Sequence, residues 1–249
     1  MRWPFQHWVD QLRNARRLRP LKTVVTAVRI RGLELRIADF DASCVVKTVP
    51  EELAADAYQF EVIPFQPGDI VLDVGANVGI ASIYLAKRQP QIRIHAFEPV
   101  PENYRHLTRN LERNQVRNVV AHHLAVTRDG RRFPMLAHFH SNSGSASGCY
   151  QDLRANGCCH YEVASTTLDA IFADHGIDRC RLLKIDCEGA EHEILLNTSV
   201  LGRIEWLSGE FHLNAGLQRA GYSPQNLEAH CRKFIAADKL KVHPLRIPD

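Results

Sequence analysis

Asp73-Val-Gly75-Ala-Asn77-Val-Gly79 follows the β-branched run Ile70–Val74 and leads into an apolar stretch of helical spacing. An acid at a strand end, with glycines spaced Gly-x-x-x-Gly, suits a strand-to-helix turn. There Gly75 lets backbone pass close to a ligand and Gly79 lets the helix pack tightly. A dinucleotide fingerprint would place another glycine where Asn77 stands, to admit a pyrophosphate. The turn is therefore shaped for a ligand other than a diphosphate. Glu98 ends the next strand, 23 residues past Gly75, where a carboxylate can accept hydrogen bonds from both hydroxyls of a ribose. Pro99 and Val100 follow it, with no arginine to receive a 2′-phosphate. A nucleoside site without a phosphate cradle fits an adenosyl group carried on an amino acid, which points to S-adenosylmethionine.

Two further clusters end strand-like runs: Lys184-Ile-Asp186-Cys187-Glu188-Gly189-Ala-Glu191 and Glu210-Phe211-His212. Strand side chains alternate, so Lys184 and Asp186 share a face, as do Glu210 and His212. Lys184 reads as the partner of a nearby acid, although a buried lysine can also serve as a base. Glu191 and Glu193 read as carboxylates set against the macrodipole of the next helix. Glu188 is open to that reading and to a functional one. A histidine, with a pKa of about 6.5, is the natural proton acceptor at neutral pH. His122 and His123 read as surface or strand-end residues.

These residues need a scaffold that brings strand ends together, and the remaining pattern supplies one. Strand-like Ile70–Val74, Ile92–Phe97, Val119–Val126, Leu182–Asp186 and Ile204–Phe211 alternate with helical Ile80–Lys87, Glu102–Asn114, Leu168–His175, Ala190–Leu196 and Pro224–Phe234, the last behind Ser223 as N-cap. Such alternation implies an α/β, Rossmann-like fold with a mostly parallel sheet and helices on both faces. Ligands bind beyond the carboxyl ends of such a sheet, where all four clusters fall. Upstream, Val24–Ile37 reads as a hairpin about Arg31-Gly32, and Pro50 opens a helix through Phe60. The organisation expected is an N-terminal accessory segment over 1–64 and a Rossmann-like domain over 65–249. Residues 138–157, rich in Ser, Gly and Asn, read as a loop, either a lid or an excursion.

Taken together, "DVGANVG", "FEP-x-P-x-N", "KID-x-EGAE" and "E-x-H", in this order across about residues 58–212, resemble the FkbM-type class I methyltransferases. The resemblance implies methyl transfer from S-adenosyl-L-methionine, commonly to a hydroxyl of a sugar, lipid or secondary metabolite. It implies that Asp73, Gly75, Asn77 and Gly79 line the methionine end of the cofactor, that Glu98 binds the ribose, and that Ala125, ending the third strand, lies by the adenine. Asp186 then positions the acceptor hydroxyl or binds a divalent ion that acidifies it. The hydroxyl proton goes to His212, or is released by a metal held by Asp186 and Glu210.

Composition excludes several other classes. In 249 residues, 45% hydrophobic and 24% charged is ordinary globular usage, which excludes wholesale disorder. No apolar run approaches the ~20 residues of a membrane span, and the N-terminus lacks a signal-peptide pattern. A formal net charge of +3 is too mild for a nucleic-acid partner. Residues 1–22 carry six cations against Asp10 alone. With Trp3, Phe5 and Trp8 among them, they read as a basic helix packed on the domain or as weak peripheral contact with an anionic membrane. Seven irregularly spaced cysteines fit reduced thiols and a cytoplasmic location. Cys149 with Cys158-Cys159-His160 lacks the gap that paired zinc thiolates use, and reads as ordinary loop thiols. Two alternatives stay open: an NAD-dependent oxidoreductase holding ribose through Glu98, and a non-catalytic binding protein on the same fold.

Overall fold

The computed structural model describes residues 21–137, 146–147 and 159–246. The basic segment before residue 21, Cys149, Cys158 and most of the loop at 138–157 lie outside the described residues.

Six strands form one wholly parallel sheet: β3 (Ile70–Val74), β4 (Arg93–Phe97), β5 (Val119–His122), β11 (Cys180–Ile185), β12 (Ile204–Leu213) and β13 (Leu240–Arg246). Their order is β13-β12-β11-β3-β4-β5, so the chain reverses direction across the sheet between β3 and β11. That neighbouring pair is the topological switch point, beyond whose carboxyl ends doubly wound folds bind ligands. Burial on both faces explains the near-continuous apolar strands. Leu72, Val74, Leu183 and Ile185 pack on one face with α4 (Leu168–Asp174), α5 (Glu191–Leu195) and α7 (Pro224–Cys231). Val71, Ile94 and Leu182 pack on the other with α2 (Ile80–Arg88) and α3 (Pro101–Arg113).

Upstream, β1 (Thr23–Ile30) and β2 (Leu33–Phe40) pair antiparallel. Arg31 and Gly32 between them have φ of 44° and 81°, the handedness that two-residue hairpins favour. Val28, Ile30, Leu35 and Ile37 pack on the α2–α3 side of the sheet, in the same core. Asn110 of α3 fastens them there. Its side chain accepts from the Ala38 N–H at 2.7 Å and donates to the carbonyls of Ala38 and Val78, each at 2.9 Å.

The structure corrects three expectations about elements. The helix expected from Pro50 to Phe60 is α1, Val45–Ala54. Pro50 sits inside it as a buried residue, and positive φ at Asp56 and Gln59 ends helical winding before Phe60. The strand expected over Val119–Val126 breaks at His123-Leu124. Ala125 starts the short strand β6 (Ala125–Val126), which pairs with β10 (Ser165–Thr166) away from the main sheet. β13 is not among the expected strands; it lies at the edge of the sheet, where its Pro244 is tolerated. An outlying sheet joins β7 (Phe133–Ala137) to β8 (Ala146–Ser147) and β9 (Cys159–Val163). Among the described residues no helix is long and apolar enough to cross a membrane, and Cys44, Cys180, Cys187 and Cys231 are free thiols.

Asn110→Ala removes partners from three backbone groups at once. Orphaning buried backbone groups costs about 1–3 kcal/mol each, less what water recovers. Urea unfolding is expected to show a loss of about 2–4 kcal/mol; a change under half a kcal/mol would mean the clasp is not formed.

Candidate functional site

The β3–α2 turn begins where the strand's last side chains are already committed. Asp73, 3% exposed, accepts from Ser82 Oγ of α2 at 2.6 Å and pairs with Lys184 Nζ at 3.1 Å. Gly75, at φ 83°, lies so close to β11 that a Cβ there would sit 1.8 Å from the Asp186 carbonyl oxygen. The sequence suggests that this glycine makes room for a ligand; what it first admits is the backbone of the neighbouring strand end. Gly79, at φ 89°, similarly admits Leu107 of α3, 2.4 Å from where a Cβ would be.

Lys184 lies at the centre of this arrangement. Its ammonium donates to the Gly75 carbonyl at 3.0 Å, pairs with Asp73, and stands 3.8 Å from Asp186 Oδ2. Burial opposes its charge, but Asp73 and Asp186 outweigh that and hold its pKa above the usual lysine range. Of the two sequence readings for Lys184, the paired cation is the one observed. Below it, the Tyr58 ring lies 5.4 Å from Nζ, and the Tyr58 hydroxyl donates to Glu52 at 3.1 Å.

On the far side of Asp186, His212 is 1% exposed and surrounded by carboxylates. Nδ1 meets Glu191 Oε1 at 3.0 Å. Nε2 faces Glu210 at 3.2 Å, Glu188 at 3.8 Å and Asp186 at 3.9 Å. Burial alone would strip its proton, but Glu191, Glu210 and Asp186 push its pKa up to about 12. The surrounding acids thus favour the protonated ring, a counter-ion among them. Glu191, fully buried, also accepts from the N–H groups of Cys187 and Gly189 at 2.8 and 2.9 Å. Burial would raise its pKa, but His212 and these donors hold it below the usual range. Burial lifts Glu188 to about 7, against the pull of His212. It also raises Asp186, against Lys184 and His212.

Glu98 stands across the turn. Oε2 accepts from the Asn77 N–H at 2.8 Å, and Oε1 from the Val100 N–H at 2.9 Å and Asn103 Nδ2 at 3.4 Å. Asn77 itself takes φ 51°, which asparagine tolerates better than most residues. Burial raises the Glu98 pKa to about 7, against these donors. The carboxylate therefore clamps the turn to the end of β4 and keeps about one acceptor lone pair of its four for a ligand.

Asp73 near the end of β3 thus sits with Gly75, Asn77, Gly79 and Glu98 of the turns after β3 and β4, while Asp186, just past β11, meets Glu210 and His212 near the end of β12. Ala125 lies apart from the main sheet, its N–H bonded to the Ala164 carbonyl at 2.9 Å. His123 stacks on Tyr104. Glu193 is structural, as the sequence suggests, held by Arg131 at 2.8 and 2.9 Å. Sequence reading missed Glu191 as the orienter of His212, because its place in a helix's first turn already accounted for an acid. It missed Tyr58 because an aromatic beside a helix carries no signal of its own.

The donor set suits cations. Ligand atoms of Asp186, Glu210 and His212 lie within 4.8 Å of one another, and the two carboxylates are the ones free of a ring proton to hold a cation there. Around Asp186 the carboxylates of Asp73, Glu188, Glu191 and Glu210 outnumber the cations Lys184 and His212. A positively charged ligand would reduce that imbalance, and a sulfonium bearing an ammonium is such a ligand.

The model of the Methyltransferase FkbM domain matches residues 73–226. Methyltransferase sdnD of Sordaria araneosa is 30% identical over 165 residues, 55% of this chain and 62% of that protein. Methyltransferase 1 of Beauveria bassiana is 25% identical over 171 residues, 62% of this chain and 68% of that protein. The 31-O-demethyl-FK506 methyltransferase FkbM of Streptomyces tacrolimicus is 27% identical over 157 residues, 53% of this chain and 60% of that protein. The chain thus spans about two thirds or less of these relatives. Among solved structures, M. jannaschii TYW2 in complex with AdoMet covers 42% of this chain and 44% of its own at 22% identity, with a TM-score of 0.29. The fold assignment rests on the strand order above and not on that likeness.

Lys184→Met leaves Asp73 and Asp186 buried without their cation, and is expected to cost about 3–5 kcal/mol at pH 7. Burial raises the folded-state pKa of Asp186, so the deficit should shrink as pH falls and that acid protonates; urea unfolding at pH 7 and pH 5 measures both. His212 should remain protonated at pH 8 by nitrogen-edited NMR. With its folded pKa raised, the stability it contributes is full below about pH 6.5 and declines as pH climbs toward 12. An imidazole titrating between pH 5 and 8 would contradict the caged arrangement.

Proposed function

Because the chain belongs to the FkbM methyltransferase family, we propose that it methylates a hydroxyl of a small-molecule, glycan or lipid acceptor by in-line displacement at the β3–β11 switch point. The cofactor is S-adenosyl-L-methionine, which when bound supplies a methyl group on a sulfonium whose thioether leaves readily. The observation that carries the proposal is the contact of Gly75 with the Asp186 backbone. It sets the turn proposed to hold the donor directly beside the acids proposed to receive the acceptor.

In this reading Asp73, Gly75, Asn77 and Gly79 shape the methionine end of the site, and Glu98 takes a ribose hydroxyl with its remaining lone pair. Ala125 keeps its proposed place by the adenine, at the start of a strand and not at the end of one. Asp186 and Glu210, whose side chains are 27% and 24% exposed, are the acids an acceptor can reach. One of them accepts the hydroxyl proton as the new oxygen–carbon bond forms, and burial suits Asp186 to this by raising its basicity. His212 and Lys184 keep the two carboxylates in place and prevent their mutual repulsion from opening the site. Alignment of acceptor, methyl and sulfur within ~3–3.5 Å supplies the larger part of the rate. A divalent cation held by Asp186 and Glu210 would add Lewis acidity at the acceptor oxygen.

Calorimetry with S-adenosylhomocysteine and with NAD tests the donor assignment on the full chain. S-adenosylhomocysteine should bind and NAD should not; the reverse would return the chain to the oxidoreductase reading. Glu98→Ala should weaken S-adenosylhomocysteine by about tenfold or more, equivalent to about 1.4 kcal/mol. Labelled S-adenosylmethionine incubated with a fractionated host metabolite extract should mark one acceptor fraction. With that acceptor, Asp186→Asn should lower kcat by about 100-fold or more while S-adenosylhomocysteine affinity changes little. Donor binding with no label transferred to any fraction would favour a non-catalytic binding protein.

A further inference from the structure

A second histidine cluster lies on the sheet face that packs against α4, next to Glu98, whose N–H donates to the His122 carbonyl at 3.0 Å. His95 is in the middle of β4, His122 ends β5, and His175 is the residue that caps the C-terminus of α4. His95 and Phe97 point to one face by strand alternation, and the register sets His122 beside Phe97; the Phe97 and His122 rings stack at 4.5 Å. His95 Nδ1 and His122 Nε2 are 3.0 Å apart. The His175 ring centroid is 4.4 Å from that of His95 and 5.1 Å from that of His122. One ring nitrogen from each of the three lies within 4.8 Å of the others.

We propose that His95, His122 and His175 form a binding site for a borderline divalent transition-metal ion of the Zn²⁺ class, distinct from the Asp186, Glu210 and His212 cluster. Three imidazole nitrogens at this mutual distance need only small ring movements to reach the ~2.0–2.1 Å bond lengths of zinc. The group contains no carboxylate, so hard oxygen-seeking cations such as Mg²⁺ and Ca²⁺ find no suitable donors, whereas imidazole suits Zn²⁺, Ni²⁺ and Cu²⁺. Burial is graded: His95 is 5% exposed, His122 is half-buried and His175 is exposed. The ion would enter from the His175 side and keep a position there for water. The three ligands come from three elements, so the ion would fasten the end of α4 to β4 and β5.

The test uses the full chain, freed of metal with a chelator and then titrated with Zn²⁺ by calorimetry and with Co²⁺ by visible absorption. His175→Ala alters an exposed side chain and His122→Gln keeps size and polarity, so both should fold, which circular dichroism confirms. Each should bind one Zn²⁺ fewer than the unaltered chain, or bind it at least about tenfold more weakly. Zn²⁺ should also raise the melting temperature of the unaltered chain more than that of either variant. Asp186→Asn, which disrupts the other donor cluster, should leave this ion bound. The Co²⁺ absorption lost in His175→Ala should lack sulfur-to-metal charge-transfer bands, separating this site from the cysteines. The proposal fails if the unaltered chain takes up no Zn²⁺, if both histidine variants keep its stoichiometry and affinity, or if only Asp186→Asn loses the ion.

Discussion

One buried ammonium holds the two halves of the sheet together where their order reverses. Lys184 reaches across the switch point to Asp73 and to the Gly75 carbonyl, and it faces Asp186 on its own strand. A charge so deeply buried is tolerable only when its partners are fixed, because desolvation costs several kcal/mol per ion unless excellent geometry offsets it. The turn after β3 and the acid after β11 are therefore not independent loops. Each is held to the lysine at close range, and the glycine contact between them leaves no slack at the backbone.

The acids beyond that contact would repel one another in a low-dielectric site without a further cation. His212 supplies it. Its position two residues after Glu210 suggests a base, and a proton acceptor is what an isolated imidazole would be. Four carboxylates around it reverse the expectation, and one of them, Glu191, is separated from it by 21 residues. Residue type and local spacing cannot report a cage whose members lie on α5, β11 and β12. The energetic role passes instead to the ring of acids, with histidine as its counter-ion.

Much of the scaffold could be read from the chain because its strands are buried on both faces, and such strands leave long apolar runs. Ile70–Val74, the helix from Ile80 and the hairpin about Arg31-Gly32 were all visible for this reason or through turn chemistry. Errors arose where a local signal competed with tertiary context. Pro50 looked like a helix start, but packing carries it inside α1. His123-Leu124 ended a strand that β-propensity would have continued to Val126. In the site, the glycines and acids were legible as a set, while the partner each one meets was not: Gly75 meets a carbonyl, and Glu98 meets the backbone of its own turn.

The Tyr58–Glu52 pair comes from the stretch ahead of β3, outside the residues 73–226 that match the family domain. Yet Tyr58 lies beneath Lys184, and its hydroxyl engages Glu52, a carboxylate near Asp186 and Glu210. Part of the packing beneath Lys184 is thus encoded outside the residues that match the family model. Substitutions there can alter the packing beneath Lys184 while every residue of the shared motifs stays unchanged.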